Sequence, residues 1–287
     1  MDQSATSDRG DAPDTIVLIH GLWLTPRSWE AWIDRYRGRG FRVIVPAWPG
    51  MEVEVEALNA DPSPITQLTV EDVVNHYENI IIDLRRPPII MGHSFGGTFT
   101  QILLDRGLGA AGVGVASATV KGVPDLPLST VRVAAPALSP FKEGEAVPLT
   151  AKEFHYAFTN TLSQEESDEI YRRYHVPAAG TVLREYAFAN FHRDAPTEVD
   201  FHRQNRVPLL FVTFGEDHLM PPKVGRHMEE KYDDAASITE LREFPNRPHF
   251  PTVTGWEEVA DYALSWALEH AVSSVVARRP ADAQNQA

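Results

Sequence analysis

Cysteine is absent from the 287-residue chain. That excludes a disulfide framework and thiolate chemistry of any kind, while leaving the redox compartment open. Long apolar runs are missing too: no stretch approaches the ~18 residues that a membrane-spanning helix requires. The first ten residues, MDQSATSDRG, carry neither the basic flank nor the apolar stretch of a secretory leader. Positive charge is scarce, with 26 Lys and Arg against 40 Asp and Glu and a formal net charge of −14. Such a balance argues against nucleic acid or an anionic membrane surface as a partner. No G-x-G-x-x-G or P-loop pattern follows a strand, so no nucleotide cofactor is implied. No metal site is expected either: His218 neighbours Asp217 without a third ligand at metal-site spacing, and His155, His175, His192 and His202 are scattered. The expectation is a soluble cytoplasmic protein acting on a small molecule without metal or cofactor, its oligomeric state left open.

What is present alternates as a parallel α/β sheet demands. Apolar strands are predicted at Thr15 to Ile19, Phe41 to Val45, Pro88 to Met91, Ala110 to Ser117, Pro208 to Phe214 and Ile238 to Phe244. Between them, Trp29, Trp32, Ile33 and Tyr36 recur at helical spacing after Thr25-Pro26, and Val70, Val73, Val74, Tyr77, Ile80, Ile81 and Leu84 form a second stripe. Trp256, Val259, Ala260 and Ala263 mark the last helix. These stripes are core and carry no chemistry. The segment 120–207 differs: it opens with the irregular stretch Lys121 to Leu128, then shows capping boxes at Thr150/Glu153 and Ser163/Glu166, which start short helices. The predicted division is a tail over 1–14, a core over 15–119, a helical insertion over 120–207, the rest of the core over 208–272, and a tail over 273–287.

Three places carry chemistry. Gly92-His93-Ser94-Phe95-Gly96-Gly97 lies between a strand and a helical pattern. A chain reversing there through one residue makes a sharp, strained turn, and the glycines remove side chains that would collide. Ser94 sits at its tip, and His93 is read as packing and hydrogen bonding beneath it. Upstream, the first strand runs into His20-Gly21-Leu22-Trp23. Its backbone is suited to holding a developing oxyanion together with the amide of Phe95; Leu22 is the favoured second donor and Trp23 its close competitor. His20-Gly21 also fits a plain strand-ending turn with a satisfied histidine. Downstream, Gly215-Glu216-Asp217-His218 follows a strand, and Pro245-Asn246-Arg247-Pro248-His249-Phe250 follows the next. Both reach the edge where ligand sites of parallel sheets lie. The chain order is Ser94, Asp217, His249, with Glu216 the rival acid.

On GHSFGG, HGLW, FGEDHLMPP and NRPHF, the chain resembles the α/β-hydrolase fold superfamily from about Thr15 to His270. The resemblance implies a mostly parallel central sheet with helices on both faces and an inserted helical lid. It implies Ser94 as nucleophile, His249 as general base and later acid, and Asp217 as the residue orienting the imidazole. Relatives with an aspartate nucleophile are disfavoured by serine at 94. Many relatives carry an aspartate early in the turn after the second strand, where this chain has Ala47-Trp48, a change that touches loop packing. The aromatics of the insertion, Phe154, Tyr156 and Phe158 and then Tyr186, Phe188 and Phe191, suggest an apolar pocket whose candidate walls are Phe154, Phe158 and Phe188 with Trp23 of the first turn, although each also fits simple packing of lid on body. The implied activity is hydrolysis of a carboxylic ester, thioester or lactone of a small apolar molecule through an acyl-enzyme. C–C bond hydrolysis, lyase, acyltransferase or perhydrolase chemistry, or ligand binding without turnover, are the alternatives on the same scaffold.

Overall fold

The computed structural model describes residues 12–125 and 144–272. The predicted tails lie outside these residues save 12–14, as does part of the insertion, including the end of the stretch Lys121 to Leu128. Six strands form one sheet: β1 (Thr15–Ile19), β2 (Arg42–Ile44), β3 (Ile89–His93), β4 (Ala111–Val115), β5 (Leu209–Phe214) and β6 (Thr239–Phe244). Their order is β2-β1-β3-β4-β5-β6, and every pair is parallel. Every residue of β1, β3, β4 and β5 is buried, as continuous apolar strands covered on both faces must be.

The pleat divides the core in two. Ile16, Leu18, Ile89, Met91, Leu210 and Val212 face one side, against Trp29, Trp32 and Tyr36 of the first helical segment and Val259 and Ala263 of the last. Those belong to a short 3₁₀ turn (Pro26–Trp29) capped by Thr25, to α1 (Glu30–Gly38) and to α9 (Trp256–His270). Val17, Ile19, Ile90, Leu209 and Phe211 face the other side. There they meet α3 (Val70–Ile82), α4 (Phe95–Asp105) and α8 (Pro222–Lys231), with the short α2 (Val55–Ala60) nearby. Helices thus cover both faces, and because all strands run the same way, the loops after β1, β3, β5 and β6 emerge at one rim.

Between β4 and β5 the chain builds α5 (Ala151–Phe158), α6 (Gln164–Tyr174) and α7 (Gly180–Phe188). Both predicted capping boxes form: Thr150 Oγ1 accepts from the Glu153 amide while Glu153 accepts from the Thr150 amide, and Ser163 and Glu166 do the same. The insertion is fastened to the rim by Trp23. Its indole Nε1 donates to the Val147 carbonyl at 2.9 Å and its own carbonyl accepts from the Val176 amide at 3.0 Å. Val147 and Ala178 in turn make an isolated antiparallel bridge.

Candidate active site

Ser94 joins β3 to α4 with φ 54° and ψ −118°, a conformation that L-residues rarely adopt and that costs of order 1–3 kcal/mol. Surrounding contacts hold it there. Its amide donates to the Val115 carbonyl (2.9 Å), and its carbonyl accepts from the amides of Gly97 (2.8 Å) and Ala118 (2.9 Å). The flanking glycines are required by space: a Cβ on Gly92 would fall 1.9 Å from the Gly96 oxygen, and one on Gly96 would fall 2.1 Å from the Ile19 oxygen.

Asp217 lies in the turn after β5, and its Oδ1 accepts from the amides of Leu219 (2.7 Å) and Met220 (2.8 Å). Its Oδ2 is 2.6 Å from His249 Nδ1, and both side chains are fully buried. An ionised carboxylate can only accept hydrogen bonds, so His249 Nδ1–H donates to Oδ2 and the free lone pair of the ring sits on Nε2. That Nε2 is buried and has no hydrogen-bond partner among the described residues. Glu216, the rival acid, is exposed; only its backbone takes part, its amide donating to the Arg247 carbonyl at 3.0 Å and so tying the acid turn to the histidine loop.

His93, the residue before Ser94, connects the elbow to the same loop. Its Nε2–H donates to the His249 carbonyl at 2.8 Å, and the two imidazole centroids lie 4.7 Å apart. Complete burial holds the His93 pKa well below the ordinary histidine value, which keeps it neutral beside the second imidazole.

The turn after β1 closes the other side. A Cβ on Gly21 would stand 2.9 Å from Ser94 Cβ, so only glycine lets this peptide come so near. The Gly21–Leu22 peptide therefore lies beside Ser94, and no hydrogen bond from the Leu22 amide is found among the described residues. Phe95 is the first residue of α4, where a helix leaves its amides unpaired and its dipole positive. Trp23 takes a left-handed backbone, φ 63°, to complete the turn. His20 is the satisfied histidine: Nδ1–H donates to the Gly21 carbonyl at 3.0 Å and Nε2 accepts from the Trp48 amide at 3.4 Å. Burial pushes its pKa down to about 4. Trp48 stacks on that ring at 4.8 Å and meets Phe99 edge-on.

Of the expected pocket aromatics, Phe158 reaches the site: its ring stands nearly perpendicular to His249 at 5.0 Å and edge-on to Trp23 at 6.2 Å. Phe154 lies behind it, stacked at 4.7 Å and boxed by Tyr171 and Phe250, a packing position one layer from the imidazole. Phe188 corrects the expectation. The buried stripe of α7 is Val182, Leu183 and Tyr186, and Phe188 falls two residues, over half a turn, off it. It instead lines an open cavity of about 730 Å³ with Arg184, Glu185 and His192, where Ser94 and His249 have no part. The aromatic of α7 at the site is Tyr186, centred 4.6 Å from the Phe95 ring with its hydroxyl 2.9 Å from Thr119 Oγ1. Its place on the stripe with Val182 and Leu183 was the signal that distinguished it.

Among the described residues no group of three His, Asp or Glu is placed to hold a metal ion, and no helix is long and apolar enough to cross a membrane. A model of the alpha/beta hydrolase family matches residues 16–262. No curated protein matches the chain in sequence. Solved structures similar to it include a monoacylglycerol lipase from Paleococcus ferrophilus, 21% identical, covering 91% of this chain and 96% of that one with a TM-score of 0.65. A soluble variant of monoglyceride lipase from Saccharomyces cerevisiae is 14% identical, with coverage of 92% and 88% and a TM-score of 0.69. A pyrethroid hydrolase from Sphingobium faniae JZ-2 is 16% identical, with coverage of 88% and 96% and a TM-score of 0.61.

Proposed function

From the chain's membership of the alpha/beta hydrolase family, we propose that it is a serine hydrolase cleaving a carboxylic ester, thioester or lactone of a small, mostly apolar molecule. His249 Nε2 takes the Ser94 proton as Oγ attacks the carbonyl carbon, and the amides of Leu22 and Phe95 hold the oxyanion. The imidazolium, steadied by Asp217, then gives its proton to the leaving group, freeing the alcohol or thiol and leaving an acyl-Ser94 ester. Water, deprotonated by His249, attacks that ester; the acid departs and Ser94 regains its proton. No cofactor takes part in these steps. The helical insertion acts as a lid, with Trp23 and Phe158 supplying apolar walls beside the reacting atoms.

The observation that carries this reading is the buried Asp217–His249 pair at 2.6 Å, with the outer imidazole nitrogen unpartnered and the His249 loop bonded to the residue next to a strained serine. A structural ion pair has no need of an adjoining serine at φ 54°. Nucleophile–base bonds are often loose at rest and tighten during reaction. Turnover of short aryl esters is expected to fall by about 10⁴-fold or more in Ser94→Ala, and a fluorophosphonate should label Ser94 alone. Retained turnover, or label on another residue, would overturn the assignment.

A further inference from the structure

Helix α5 touches both arms of the triad from outside. At its C-terminal end the Phe158 carbonyl accepts from the Phe250 amide at 2.9 Å, gripping the loop that carries His249. Two residues earlier the Tyr156 carbonyl is 2.8 Å from His218 Nδ1, beside Asp217. Asn160, just past the helix, donates its Nδ2–H to the Glu216 carbonyl at 3.0 Å and lies 3.3 Å from His218 Nε2. A carbonyl only accepts, so His218 carries its proton on Nδ1 and its Nε2 accepts from Asn160. The acid turn is therefore held at Glu216 and His218, the two residues flanking Asp217, by one segment of the insertion, while the base loop is held by another point of the same helix.

We propose that Asn160 and His218 are positioning residues, through which the docked insertion sets the approach of Asp217 to His249. The inference rests on the triad proposed above. It makes the lid a brace for the catalytic carboxylate as well as a cover: when α5 leaves the rim, both loops lose their common support. His218, which the sequence leaves without a third ligand at metal-site spacing, thereby gains a role in holding the acid turn.

The test compares full-length Asn160→Ala, His218→Ala and His218→Asn with Arg173→Ala. The last removes the contact of α6 with Glu30 (2.6 Å) on a different side of the insertion, without touching either triad loop. Kinetics with an aryl ester should show kcat down about 10-fold or more in both alanine variants at nearly unchanged KM. His218→Asn, which restores a donor near the Nδ1 position, should recover most of the loss, and Arg173→Ala should keep wild-type kcat. Melting temperatures identify any variant that fails to fold, and the His218 pair then decides alone. Wild-type kcat in the alanine variants, or an equal loss in Arg173→Ala, overturns the brace while hydrolysis still requires Ser94. Hydrolysis that survives Ser94→Ala overturns the triad itself.

Discussion

Asp217 makes three hydrogen bonds with two oxygens, and each oxygen has a separate task. Oδ1 is committed to the amides of Leu219 and Met220, and Oδ2 to His249. In Asp217→Asn the amide oxygen must keep the two backbone donors, so the NH₂ group turns toward Nδ1 and forces the proton onto Nε2. The imidazole then has nothing with which to accept from serine. We expect kcat to drop by about 10⁴-fold, as in triads where this exchange traps the wrong tautomer, with little change in melting temperature. Glu216→Gln should leave kcat at the wild-type value, since that side chain is exposed. Steady-state kinetics on the two variants checks both, and inactivity of Glu216→Gln alone would reverse the assignment of the acid.

At the scale of elements, the two capping boxes of the insertion should be separable from the chemistry. Thr150→Ala and Ser163→Ala each remove an acceptor for an amide at a helix start, a loss of about 1 kcal/mol apiece. Thermal denaturation should register both, and a loss well under a few tenths would contradict the cap geometry. These boxes were legible in the sequence because a cap is a matter of four consecutive residues. So were the strands, whose apolar runs matched β1 to the residue and the others to within one or two, and so was the G-x-S-x-G turn in its strand-to-helix setting. What was not legible depends on docking. Phe188 and Tyr186 are equally aromatic: the stripe with Val182 and Leu183 points to Tyr186, but that its ring meets Phe95 while Phe188 lines the open cavity is set by how the chain docks. The bond from His93 to the His249 carbonyl spans 156 positions, and the links of Asn160 to the acid turn span more than 50. No local pattern announces contacts at such separations.

The whole molecule should be sensitive to acid. His20 and His175 are buried with pKa values pushed by desolvation from 6.5 down to about 4, and His93 is depressed in the same direction. Each is bonded in its neutral form, His175 accepting the Leu149 amide at 3.1 Å within the insertion. The unfolded chain takes up protons at these sites near pH 6.5 while the folded chain resists them. Their stabilisation is therefore complete above about pH 6.5 and is lost progressively as pH falls toward about 4, at up to about 3 kcal/mol for each of His20 and His175. Urea denaturation at pH 7 and pH 5 should show a marked fall in unfolding free energy, and His175→Gln should flatten that slope. A pH-independent midpoint would contradict the burial of these imidazoles.

The margins of the sheet bear on how the molecule behaves in company. β2, at one border, is three residues long, and β6, at the other, presents the exposed side chains of Glu240, Arg242 and Glu243. A short border offers a neighbour little ladder to extend, and a charged one obliges any added strand to desolvate ions before it can pair. The long apolar strands that a partly unfolded chain would offer for cross-molecular zippering lie inside these guards, so concentrated solutions of the native protein are shielded from growth by strand addition.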